Sequence, residues 1–216
     1  VVKGTLSLWM YLAKSQTLFL GLPIAVCLIS VALRNNGVFS SADFLALIGF
    51  WTVVFPAAAI NGPMGALHQK ELFVSMPISP FSFGVIQPVV MFTCYGAVLS
   101  GTYLSCIKSA NASDSSMRIA GALFVSAIAL FALTCLMINL FKNAAIGMSL
   151  ALIYVIFGMF TTGTGQGPFY LFQWYRPRPM SSPDEYIIAQ LLGTAALLAA
   201  NYEVIKYRSK LQFMPY

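Results

Sequence analysis

Charge is what this sequence has least of. Only 8% of its 216 residues are Asp, Glu, Lys or Arg, while 59% are hydrophobic. A water-soluble domain carries about 25% charged residues, so this chain lacks the means to clothe a globule of its size in a polar surface. The acidic residues are Asp43, Glu71, Asp114, Asp184, Glu185 and Glu203, and most lie at the ends of apolar runs or in the joints between them. The centres of the runs carry essentially no ionisable group, which argues against an ion-coupled carrier or a channel with a charged filter. Histidine occurs once, at His68, which excludes a zinc helix of the His-Glu-x-x-His type. A Gly-x-x-x-x-Gly-Lys-Ser/Thr phosphate loop is missing, so the chain is not expected to hydrolyse ATP by itself. A Gly-x-Ser-x-Gly nucleophile elbow is missing too. The four cysteines, Cys27, Cys94, Cys106 and Cys135, are scattered through apolar runs. Their spacing fits neither a metal knot nor a disulfide framework, and they read as reduced, core- or lipid-facing thiols.

What the sequence has in abundance is long apolar runs, and its mean hydropathy is +0.81. A helix rises about 1.5 Å per residue, so about 20 apolar residues cross the ~30 Å hydrocarbon core of a bilayer. The chain offers about six such runs, near 17–33, 44–60, 83–107, 119–141, 144–161 and 186–204. In lipid every backbone N–H and C=O needs an internal partner, and a helix supplies it locally. The ten-residue alternating segments of a transmembrane barrel are not found. The fold class is therefore all-α: a polytopic membrane protein forming a single transmembrane domain over 1–216. Residues 1–16 mix apolar Leu6, Trp9, Met10 and Leu12 with Lys3 and Lys14, a pattern that predicts an interfacial helix ahead of the first crossing. The first run is expected to be a retained helix and not a signal peptide.

The joints carry turn and cap signals. Arg34-Asn35-Asn36-Gly37 is predicted to stop the first helix, and Ser40-Ser41-Ala42-Asp43 to cap the second. Asn61-Gly62-Pro63 is predicted to end the second. Lys142-Asn143 is so short that the fourth and fifth helices are expected to be antiparallel neighbours. Gly163-Thr164-Gly165-Gln166-Gly167 only superficially resembles a dinucleotide loop. It follows a span, lacks a βαβ setting and is closed by Pro168, so it reads as a loop or broken helix. Small residues four apart (Ala122 with Ser126, Gly147 with Ala151, Ala189 with Gly193, Ala195 with Ala199) are expected to let helices pack closely. The net charge of +6 is read as basic residues anchoring helix ends, not as a nucleic-acid surface. With six crossings, Lys3, Lys14, Lys70, Lys142, Lys206, Arg208 and Lys210 share one side. They outnumber Arg34, Lys108, Arg118, Arg176 and Arg178 on the other, which puts both termini in the cytoplasm.

Two sets of residues are candidates for function. Uncharged polar groups within the runs, Gln87, Thr93, Tyr95, Asn139, Ser149, Tyr154 and Gln190, are a candidate translocation path for an amphipathic cargo. Thr102, Tyr103 and Thr194 belong to the same class. Bonds between helices are the competing use of each such group. The second set lies in the joint between the second and third runs, Gln69-Lys70-Glu71-Leu72-Phe73-Val74-Ser75-Met76-Pro77-Ile78-Ser79-Pro80. This segment resembles the connector of type-2 ABC transporter permeases, with Glu71 at the acidic position and Met76-Pro77-Ile78-Ser79 at the turn before the third span. It departs from the family pattern in having Pro80-Phe81-Ser82-Phe83 and Gln87 where a basic residue and a lysine are frequent. The general layout is similar over nearly the whole chain, the residue motif over a short stretch.

The resemblance implies a cytoplasmic coupling helix in which His68, Lys70, Glu71, Phe73, Met76, Pro77 and Ile78 meet a separate nucleotide-binding ATPase. It implies a second permease, identical or related, and membrane lipids as the other partners. It also implies short re-entrant helices within 162–183, where Phe169, Tyr170, Phe172, Trp174 and Tyr175 suit an interface belt. No cofactor is expected in this chain, ATP and Mg belonging to the partner subunit, and no metal site and no nucleic acid. The expected function is export of a peptide, lipid-linked molecule, glycan or drug across a bacterial inner membrane. A membrane scaffold or assembly factor is the alternative. An integral membrane lipid enzyme is a weaker one, because the scarce Asp, Glu and His do not assemble an acid–base pair.

Overall fold

Apolar runs with no water to satisfy their backbones become helices, and in a computed structural model of the protein nearly every described residue is helical. The structure describes residues 11, 14–33, 44–65, 79–106, 114–173 and 183–207. Six helical stretches result: α1 (Thr17–Leu33), α2 (45–65), α3 (Ser82–Cys106), α4 (Asp114–Phe141), α5 (Ala144–Phe160) and α6 (Pro183–Lys206). Among the described residues there is no strand. Three of the helices, Ser82–Cys106, Met117–Phe141 and Glu185–Lys206, are long and apolar enough to cross a membrane. The other three are shorter apolar helices.

Their directions follow from side chains that cross between them. Tyr95 Oη donates to Leu20 O at 2.6 Å and Cys106 Sγ to Ser30 O at 3.9 Å, so α1 and α3 run parallel. Ser100 Oγ donates to Ala120 O at 3.4 Å, which sets α3 and α4 antiparallel. Phe19 near the start of α1 stacks on Phe55 at 5.8 Å between ring centres, and α2 turns back beside α1. The tight joint at Lys142-Asn143 makes α4 and α5 antiparallel neighbours, as its length predicts. Lys142 takes the left-handed φ of 54°, and Asn143 Oδ1 accepts from the N–H groups of Ala145 and Ile146 at 2.9 and 3.2 Å, capping α5. Gly147 then lies flat on α4. A β-carbon there would sit 2.6 Å from the Ile138 backbone, so the small-residue pair Gly147 and Ala151 does serve close packing. Ala195 and Ala199, by contrast, are exposed.

α4 is the hub. It touches α2, α3, α5 and α6, and 61% of its most apolar stretch is buried against 17% for α6. Leu123, Ala127, Leu130, Phe131 and Cys135 form its buried face, with Phe92 of α3 edge-on to Phe124 at 5.1 Å. The outer faces of α1 and α6 carry exposed Leu18, Leu28, Ile188 and Leu192, as helices that face hydrocarbon do.

Three sequence readings need correction. First, Asn61-Gly62-Pro63 does not end α2, which continues to Gly65. Asn61 Nδ2 turns back to Ala57 O at 2.9 Å, one turn earlier, so its amide serves the helix instead of opening a turn. The interruption falls at Val53, where Pro56 lacks the N–H that would bond Thr52 O. Secondly, α4 starts at Asp114 and α6 at Pro183, a few residues ahead of the apolar runs, because helix formation does not require apolar residues in its first turn. Thirdly, Tyr170 and Phe172 do not form an outer belt. They are 0% and 1% exposed, and Phe172 meets Phe50 edge-on at 5.2 Å. The segment after α5 folds inward instead. Gly163, Gly165 and Gly167 take positive φ, as glycine does without strain, and Thr162 before them takes it as well. The chain then makes a single 3-10 turn at Gly167–Phe169 and buries Tyr170, Leu171, Phe172 and Gln173 among the helices. Trp174 and Tyr175, the interfacial helix at 1–16 and the cap at 40–43 lie wholly or mostly outside the described residues.

Candidate functional site

The inward fold of 161–173 leaves a groove. A cavity of about 390 Å³ opens between α4, α5 and α6, lined by Ala129, Leu133, Tyr154, Phe169, Leu171, Gln190, Gly193, Thr194, Ala196 and Leu197. Its walls are almost wholly apolar. Gly193 is where the helix wall thins: a β-carbon there would meet the Phe169 ring at 2.8 Å. Three polar residues considered for the translocation path, Tyr154, Gln190 and Thr194, line this groove.

Gln190 is the centre of a polar cluster at the inner wall. It is 1% exposed. Its Nε2 donates to Tyr170 O at 3.1 Å and to the Tyr186 hydroxyl, and Ser126 Oγ of α4 donates to its Oε1 at 3.0 Å. Thr194 Oγ1 donates back to Gln190 O at 2.8 Å. Tyr154 Oη donates to Phe169 O at 3.1 Å, and Gln166 Nε2 to Tyr154 O at 3.1 Å. The irregular backbone at 166–170 therefore finds partners in side chains of α5 and α6. Non-helical backbone at membrane depth is tolerated only where protein satisfies it in this way.

A second cluster lies at the opposite end of α6. Asn139 of α4 donates from Nδ2 to Asn61 Oδ1 of α2 and to Asn201 Oδ1 of α6, both at 2.8 Å. Asn201 Nδ2 in turn donates to Gly84 O of α3 at 2.8 Å. The three amides are 0–1% exposed. Gly84 O is available because Pro88, four residues on, has no N–H to offer it, and because α3 begins with a wide π-type turn over Ser82–Ile86. Gly84 is also where two backbones meet: its β-carbon would sit 3.1 Å from Tyr202 Cα. The Asn139 Oδ1 atom has no partner among the described residues.

The remaining path candidates are dispersed. Thr93 faces outward and donates to Val89 O of its own helix at 2.8 Å. Tyr95 is spent on Leu20 O between α1 and α3. Ser149 is exposed on α5. Gln87 is buried at the start of α3, with its Nε2 unpaired among the described residues. The residues expected to contact an ATPase (His68, Lys70, Glu71, Phe73, Met76, Pro77 and Ile78) all lie outside the described residues.

Sequence reasoning missed Asn201 altogether, treated Asn61 as a terminator and Ser126 as a packing residue, and sent Tyr170 outward. One signal was available. Asn61, Asn139 and Asn201 each stand alone among apolar residues near one end of a run, and the ends of the second, fourth and sixth runs must share a side.

The Gln190 cluster and the Asn139 cluster are built of amides, hydroxyls and carbonyls. Among the described residues no group of His, Cys, Asp and Glu could hold a metal ion. The ion pair of Lys206 with Glu203 at 3.9 Å is exposed at the end of α6, and a pair of that kind contributes little. No protein-family model, no curated protein and no solved structure matches this chain.

Proposed function

We propose that the chain is the membrane-spanning subunit of an ATP-driven exporter of the type-2 ABC layout, and that the groove between α4, α5 and α6 is where an amphipathic cargo meets it. The groove is the observation that carries this reading: an apolar hollow within the range of ligand pockets, with amide and hydroxyl groups at its wall. The short helices α1, α2 and α5 complete six alternating crossings with the three long ones. The start of α1, the end of α6 and the 66–78 connector then face the cytoplasm in a bacterial inner membrane. The Met76-Pro77-Ile78-Ser79 sequence motif supports the ATPase as motor. A second permease closes the open side of the path, and nucleotide-driven closure moves the helices as rigid bodies. The cargo classes that fit are a peptide, a lipid-linked molecule, a glycan with a lipid or apolar part, or a drug.

The second reading, a membrane scaffold, draws support from Thr93 and Tyr95, whose polar groups are spent within the protein. Isolation in mild detergent followed by mass spectrometry of bound subunits separates the two. The exporter reading expects a phosphate-loop ATPase to co-purify, and it expects Glu71→Ala, or a double change at Met76 and Pro77, to abolish stimulation of that ATPase while membrane insertion persists. Full activity of the chain purified alone, or normal cargo-stimulated turnover in those variants, would overturn it.

A further inference from the structure

The three buried asparagines do more than join helices, because of where they fall in the sequence. Asn61 lies at the end of α2, the last helix before residues 66–78. Gly84 lies at the start of α3, the first helix after them. Asn139 binds the first of these, and Asn201 binds the second through its carbonyl. Asn139 and Asn201 also bind each other. Both ends of the connector are thereby tied, through side chains of two further helices, into one continuous chain of hydrogen bonds. The carbonyl that completes the chain is open because of Pro88, and the backbone contact beside it is open because residue 84 has no side chain. The chain of bonds thus rests on a proline and a glycine in α3 as well as on the three amides.

We propose that Asn61, Asn139 and Asn201 form a lock that makes the ends of α2 and α3 move as one body with α6, so that a load on the connector reaches the groove along α6. Asn201 and Gln190 are both on α6, and their separation of eleven residues corresponds to about 16 Å of helix. An unbroken helix of that length moves as a rod. One end of it holds the lock, and the other forms the wall of the groove with Gln190, Gly193 and Thr194. The transmission step rests on the exporter reading given above; the lock itself rests on the hydrogen bonds alone.

The lock predicts a divided response that a merely destabilising change does not give. In lipid nanodiscs, amide hydrogen exchange of the whole chain is compared among three variants. Asn61→Leu is expected to raise exchange about tenfold over 57–62 and to leave 82–87 unchanged. Asn201→Leu is expected to raise exchange over 82–87 and 199–204 and to leave 57–62 unchanged. Asn139→Leu is expected to raise both. If Asn139→Leu fails to fold, the contrast between the other two decides. Equal increases in all regions, or no change at 82–87 in Asn201→Leu, would overturn the lock. With the companion ATPase reconstituted, the ratio of cargo-stimulated to basal turnover is expected to fall about tenfold in Asn201→Leu. An unchanged ratio alongside the divided exchange pattern refutes transmission through α6 and keeps the lock. Absence of any ATPase companion refutes the exporter reading, and the exchange pattern still judges the lock.

Discussion

The two polar clusters of this bundle use the same amide chemistry under different mechanical conditions. The Asn61–Asn139–Asn201 cluster is sealed between four helices, close to where their backbones pack together. Gly147 and Gly84 bring main chains together there, Gly147 onto Ile138 and Gly84 onto Tyr202. The Gln190 cluster borders an open groove, and one of its partners, Tyr170, belongs to the irregular segment 166–173. What lies closest to its glycine, Gly193, is the end of the Phe169 ring. A side chain can rotate away from an intruding atom, whereas two packed helices must part. By this measure the first cluster is the more rigid of the two and the second the more yielding.

That contrast can be broken or sharpened by substitution. The largest effect is expected from Gly147→Ala, where the new methyl group meets the Ile138 backbone at 2.6 Å. Loss of about 3 kcal/mol, read as a lower thermal unfolding midpoint in detergent, matches the cost of overpacking a rigid contact. Next comes Asn139→Leu, which removes two interhelical bonds and leaves two buried carbonyl oxygens without their donor. Interhelical bonds in membranes average about 0.6 kcal/mol each, with a maximum near 1.7, so about 2 kcal/mol is expected once the stranded acceptors are included. Gln190→Leu should cost about 1 kcal/mol. Its clearer signature would be altered binding of an apolar fluorescent probe in the groove, whose wall Gln190 helps to form. Gly193→Ala should change stability by less than about 0.5 kcal/mol, since only the Phe169 ring must move, while reducing probe binding by narrowing the groove. If Gly193→Ala proved as damaging as Gly147→Ala, the distinction between a rigid end and a yielding end would fall.

Much of the helical framework was legible in the sequence. The first run, Thr17–Leu33, matches α1 residue for residue, and the short joint at Lys142-Asn143 correctly paired α4 with α5. These are local consequences of apolar length and of a loop too short to do anything else. The candidate site was less legible. Of the residues expected on a translocation path, Tyr154 and Gln190 share the groove, Asn139 sits at the other end of the bundle, and Thr93 and Ser149 face outward. A polar residue in an apolar run announces that it needs a partner, but the run does not say which helix supplies it. Asn61 was misread for that reason: beside Gly62 and Pro63 it has the local look of a helix end, whereas its amide bonds Ala57 O within the helix and accepts from Asn139 across the interface.

Composition alone determined that this chain is helical and compatible with a membrane. Hydrocarbon-like runs demand internally bonded backbone, and a helix is the local answer to that demand. The tertiary structure alone decided that the glycine- and aromatic-rich segment after α5 turns inward, that a groove opens beside Gln190, and that three asparagines scattered across 140 positions of sequence, from 61 to 201, meet. Such meetings depend on the relative rotation and depth of neighbouring helices, and those are set by packing between surfaces that no single stretch of sequence contains.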